Sequence, residues 1–168
     1  MKSWIYRIFL ILCICSVAGF IFYNSTRTGV QSSTISNNIA DKVVQVVVPE
    51  IDGMESTVKE KKMYNANAFL RDVAHVVEYA TFAFFVGLLA FTFKLRYGRY
   101  PIPIMLVLLF CFVFAIGDEL LQGSFDGRMA QFSDVAMDML GVVMGLAVAC
   151  CTDLIGIHII RRKTFKIK

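Results

Sequence analysis

The sequence predicts an all-α membrane protein of four transmembrane helices, with both termini cytoplasmic and one longer outer loop. Three observations predict it. Of the 168 residues, 57% are hydrophobic and only 18% charged, against roughly 25% charged in an average soluble domain. The apolar residues are also clustered, in uncharged runs over 8–26, 79–93, 100–117 and 139–152. Finally, 79–93 and 101–117 would be apolar around the whole helix, leaving no polar face for water and arguing against a small soluble α-domain. A span needs about 20 mostly apolar residues, which sets the helices near 5–23, 72–93, 101–122 and 133–157 of a single domain, 1–168.

The first span follows Lys2 and Arg7, and Ser16-Val17-Ala18 has the look of a signal-peptide cleavage site. The apolar run continues through Gly19, Phe20, Ile21, Phe22 and Tyr23, which favours an uncleaved helix. The segment 24–71 is the one long connection. It opens NSTRTGVQSS, a polar, turn-rich stretch. Ser36 is placed to cap a short interfacial helix carrying Ile39, Val43, Val46 and Val47 on one face, and Pro49 ends it. That face suits the bilayer surface or the mouth of the bundle. Residues 50–67 are polar and mixed in charge, and read as a mobile link. The short connections KLRYGRYPIP and GSFDGRMAQF make spans two and three, and spans three and four, antiparallel neighbours.

Orientation follows from the basic residues. Lys2, Arg7, Lys94, Arg96, Arg99, Arg161, Arg162, Lys163, Lys166 and Lys168 fall on one side, ten of the 17 Lys and Arg. No acid accompanies them outside the spans, so this side is the cytoplasm. The net charge of +4 then reflects anionic lipid at the inner leaflet and calls for no nucleic-acid partner. The five cysteines lie at 13, 15, 111, 150 and 151, inside the spans, with no metal-binding spacing. There they serve as small apolar residues.

Charge inside the spans is concentrated at one end. Span two begins with Arg71, Asp72, His75, Glu78 and Tyr79, which share one arc of a helix. Span three ends with Asp118, Glu119 and Gln122. Span four begins with Asp134 and Asp138, one turn apart and in line with Gly141 and Gly145. Gly-x-x-x-Gly lets helix backbones approach closely, so this acidic face is expected to meet a packed helix. Each charge at mid-bilayer costs roughly 2.5–3.5 kcal/mol, and such residues usually face the bundle interior and mark function. Arg128 in the outer connection completes the set. The bland alternatives are dipole partners for Asp72 and Asp134 and a purely structural bundle lock.

These residues fall in three blocks: FLRDVAHVVEYATFAF, GDELLQGSFDGR and SDVAMDMLG. Together with NSTRTGVQSS they resemble the VanZ-like family of bacterial membrane proteins. Arg71, His75, Glu78, Tyr79, Asp118, Glu119, Gln122, Arg128, Asp134, Asp138 and Gly141 fill its pattern. Leu121 stands where a histidine is common in the family, so a mechanism using a second histidine there does not carry over. The resemblance implies a multi-pass protein of the bacterial plasma membrane, in a family named for low-level teicoplanin resistance.

The expected function is an outward polar pocket that binds or modifies a surface or lipid-linked molecule. Its partners would be membrane lipids and a lipid-linked envelope precursor or a glycopeptide. Arg71, Tyr79, Asp118, Gln122, Arg128 and Asp138 would bind. An intramembrane hydrolase or transferase would use His75, Glu78, Glu119 and Asp134 in acid–base roles. Asp118, Glu119, Asp134 and Asp138 would supply oxygen ligands to a divalent cation such as Mg²⁺. A small ion or proton transporter is a lesser alternative, since only Asp153 and His158 extend polarity toward the other end.

Overall fold

Five α-helices account for nearly all of the chain in the computed structural model, which describes residues 3–53, 55–93 and 100–165. They are α1 (Ser3–Ser25), α2 (Gly29–Val47), α3 (Ser56–Phe91), α4 (Pro101–Gln122) and α5 (Phe132–Phe165), with a 3₁₀ turn over Pro49–Gly53 between α2 and α3. No strand occurs among the described residues. Four of the helices are long and apolar enough to cross a membrane: Trp4–Ser25, Ser56–Phe91, Pro101–Gln122 and Phe132–His158. The four spans expected from the sequence are therefore present. The basic residues Lys2, Lys94, Arg96, Arg99, Lys166 and Lys168, used above to orient them, lie outside the described residues.

Helix boundaries follow local chemistry. Pro49 supplies no amide to continue α2 and restricts Val48 before it, so the chain turns there. Pro101 and Pro103 sit in the first turn of α4, where a missing amide donor costs nothing. Gly127, at φ 75°, makes the turn between α4 and α5.

Two expectations for the long connection are corrected. Residues 56–67, read as part of a mobile link, form the first turns of α3, which runs unbroken for 36 residues. At 1.5 Å per residue that is about 54 Å, well beyond the roughly 30 Å hydrocarbon core. The interfacial helix begins at Gly29, inside the stretch expected to be turns. It packs along α3, with Ala40 and Val44 buried, while Ile39, Val43, Val46 and Val47 remain exposed. Asn67 of α3 donates to Asn37 of α2 across the same contact. The polar stretch is helical because α2 gives it a surface to pack on.

The core runs along the inner stripes of three helices: Tyr79, Phe82, Ala83 and Phe91 of α3, Val107, Cys111 and Ala115 of α4, and Val135, Val142, Leu146 and Ala149 of α5. Their spacing of three and four residues is the helical period. Ile21 of α1 joins this cluster. The rings of Phe82 and Phe114 stack with centroids 4.6 Å apart. The remaining faces carry exposed apolar side chains such as Leu12, Leu109, Val113 and Val148, suited to lipid.

The most extensive pairing is α3 with α5. Gly141 and Gly145 lie directly against the α3 backbone, where added Cβ atoms would overlap the carbonyl oxygens of Val76 and Ala80 respectively. The expected close approach of the acidic face to a partner helix is thus present, with α3 as the partner.

Candidate functional site

The close approach of α3 and α5 fixes the depth at which their polar residues meet. His75 Nδ1 lies 2.9 Å from Asp138 Oδ1, and His75 Nε2 lies 4.0 Å from Asp134 Oδ2. One turn nearer the end, Arg71 donates to Asp134 Oδ2 at 3.2 Å. Asp134 also accepts from Ser133 and sits in the first turn of α5, where the dipole favours an acid. Asp138 is fully buried, which makes its histidine partner a requirement for any charge it carries.

A second group joins α1, α4 and the following turn. Ser25 donates to Asp118 Oδ1 at 2.5 Å, and Gln122 donates to Asp118 Oδ2 at 3.0 Å. Arg128 reaches back to Gln122 Oε1 at 3.1 Å. Glu78 of α3 accepts from Asn24 of α1 at 2.8 Å. Tyr79 lies beneath them in the core, edge-on to Phe82 and Phe114. Arg128, in the turn, has its guanidinium pulled below its ordinary value, first by burial and then by the like charge of Arg71.

Glu119 has a different place. Its Oε1 accepts from the backbone amide of Gln131 at 2.6 Å, tying the end of α4 to the start of α5. Its Oε2 is buried with no hydrogen-bond partner, as is Asp138 Oδ2. Among the described residues, no three His, Cys, Asp or Glu side chains come together in a way that would hold a metal ion. The four-carboxylate set expected for Mg²⁺ is split between separate hydrogen-bonded groups.

Two clefts open beside these residues. One, of about 310 Å³, is lined by Phe20, Asn24, Ser25, Arg27, Ser36, Ile39, Leu70, Arg71, His75, Glu78, Gln122 and Arg128. The other, of about 400 Å³, includes Asn37, Tyr64, Asn67, Arg71, Gln122, Arg128, Gln131 and Asp134. Arg71, Gln122 and Arg128 line both.

The predicted polar residues thus gather at one end of the bundle, where Arg71, His75, Glu78, Gln122, Arg128 and Asp134 line the clefts, while Asp72, Tyr79, Asp118, Glu119 and Asp138 line neither. The expected three-helix wall is enlarged by α1, the turn after it and α2, which contribute Asn24 and Ser25, Arg27, and Ser36 respectively. The signal for Asn24, Ser25 and Arg27 was available in NSTRTG at the end of the first span, read above as a turn, and Ser36, read as a cap, lies inside α2. Asp153, at the far end, accepts from Tyr100 at 3.0 Å. Between it and the clefts, the described core residues are apolar.

A family model described as VanZ/LLP1 matches residues 8–155, most of the chain. No curated protein and no solved structure matches. The chain belongs to the VanZ/LLP1 family and is a multi-pass membrane protein.

Proposed function

We propose that this member of the VanZ/LLP1 family is a cell-envelope protein whose polar chamber faces the outer surface. There it receives the polar part of a surface or lipid-linked molecule and so contributes to glycopeptide tolerance. One observation carries the reading: the intramembrane charges border open volume. A device that only locked the helices would bury Arg71, His75, Glu78 and Arg128 against one another, whereas these side chains line a cleft of about 310 Å³. Clefts of roughly this size with a few convergent polar groups are the usual form of small-molecule sites. The outward orientation rests on the bias of basic residues toward the opposite side, and the tie to teicoplanin on the family name.

A second reading adds chemistry at the same place. Asp138 holds His75 through Nδ1, the arrangement by which a carboxylate orients an imidazole for proton transfer from its other nitrogen. An enzyme of this kind would work without the carboxylate-bound cation considered above.

Deletion and complementation test the proposal. Removing the protein is expected to lower teicoplanin tolerance, and the wild-type chain to restore it. Arg71→Gln at wild-type protein level is expected not to. Full restoration by a stable Arg71→Gln chain, or no change on deletion, contradicts the proposal.

A further inference from the structure

The larger part of the charge facing the first cleft is positive, and its sources are spread through the fold. Arg27 follows α1, Arg71 belongs to α3, and Arg128 to the turn after α4, yet all three line one volume. Glu78 is the acid among the lining residues, and its Oε1 is engaged by Asn24. Asp118 behind the wall is satisfied by Ser25 and Gln122. Arg27 lies over the ring of Tyr23, its guanidinium carbon 4.7 Å from the ring centroid. Stacking leaves the edge of a guanidinium, with its fork of donors, available to an oxygen ligand.

The rest of the wall is apolar. Phe20, Ile39 and Leu70 line the same cleft. Phe20 and Ile39 are each about half exposed, 56% and 49%, so this wall continues onto the outer faces of α1 and α2. A cationic pocket that opens sideways onto an apolar surface matches a molecule with an anionic head and a hydrocarbon tail.

We infer that the cleft bordered by Arg27, Arg71 and Arg128 binds the phosphate head of an amphiphile, with the tail lying along Phe20 and Ile39. This deepens the reading of the chamber as a ligand site and rests on it. Phosphate is favoured because guanidinium groups pair with its oxygens two at a time and three of them surround one volume. Burial first, and then the like charge of Arg71, weigh against the Arg128 cation, and a bound anion would offset both. Arg27 gains a role here that the sequence pattern did not give it.

The test uses the full chain in phosphatidylcholine nanodiscs, with dioctanoyl phosphatidic acid, dioctanoyl phosphatidylcholine and inorganic phosphate as probes. Phosphatidic acid is expected to bind about tenfold or more tighter than either of the others, as one or two charge-assisted hydrogen bonds would give. Arg27→Ala is expected to remove that advantage while the protein stays monodisperse. Should Arg27→Ala fail to fold, Arg27→Lys, which keeps the charge and loses the fork, is expected to bind at least a few-fold more weakly. Equal binding of phosphatidylcholine overturns the phosphate head, and equal binding of inorganic phosphate overturns the tail. Unchanged affinity in a folded Arg27 variant overturns the site. If phosphatidic acid fails while Arg71→Gln still loses teicoplanin tolerance, this inference falls and the chamber's proposed function stands.

Discussion

Gly145 of α5 lies so close to Ala80 of α3 that a single added methyl group would overlap the Ala80 carbonyl oxygen. This contact sets the helix spacing that holds His75 within 2.9 Å of Asp138. The small-residue stripe and the polar chamber are therefore one construction, with the chamber at the end of the tightest seam.

Gly145→Ala is expected to lower the stability of the purified protein by at least the ~1–3 kcal/mol typical of overpacking, because the obstacle is backbone. Gly141→Ala, which meets the Val76 carbonyl, should behave alike. Gly19→Ala has open space around its Cβ and should leave melting unchanged. Thermal melts in detergent compare the three, and equal melting for Gly145→Ala and Gly19→Ala would show that the seam is not tight.

The pairing of His75 with Asp138 gives a second expectation. Removing one member of a buried pair typically costs about 3–5 kcal/mol, because a charge is left unpaired, whereas removing both often costs less. His75→Ala is thus expected to melt below the double variant His75→Ala with Asp138→Ala. A double variant less stable than either single one would mean that the pair does not act as a unit.

Much of this was legible from sequence, and the limits have physical causes. Long uncharged apolar runs mark the spans almost unaided, and steps of three and four residues put Asp134, Asp138, Gly141 and Gly145 on one face. Residues 56–67 were misread because a polar, mixed-charge segment has no local signal for helix when its support comes from another element. Here α2, packed along α3 and bonded through Asn37 to Asn67, provides that support. Asn24 and Ser25 escaped for a related reason: a short polar stretch after a span looks like a turn until its partners, Glu78 and Asp118, are known. Which carboxylate belongs with which partner is a tertiary fact that spacing along one helix does not contain.

The opposite end of the bundle offers a contrast. Arg7 donates to Thr92 Oγ1 at 3.0 Å and to the Thr92 carbonyl at 2.9 Å, satisfying the C-terminus of α3 with a cation. Its removal as Arg7→Ala should cost about 0.3–2 kcal/mol, as for a charge at a helix end, and leave teicoplanin tolerance unaltered. Lost tolerance at normal protein level would place function at both ends.

Orientation can be read directly. In a cysteine-free background, Tyr64→Cys on the exposed start of α3 is expected to react with a membrane-impermeant thiol reagent in right-side-out vesicles. Lys163→Cys should react only after the membrane is opened. The reverse pattern would put the chamber in the cytoplasm and remove the basis for an outer-surface ligand.

The most direct test of the chamber as a ligand site is Glu78→Gln. The amide keeps the shape of Glu78 and an oxygen for Asn24 to donate to, while removing the negative charge that lines the cleft. Melting temperature and teicoplanin tolerance are measured on the same variant. The account predicts wild-type melting with tolerance changed, because Glu78 borders the site. Wild-type melting with tolerance intact would contradict it, and so would a loss of tolerance explained entirely by a loss of folded protein.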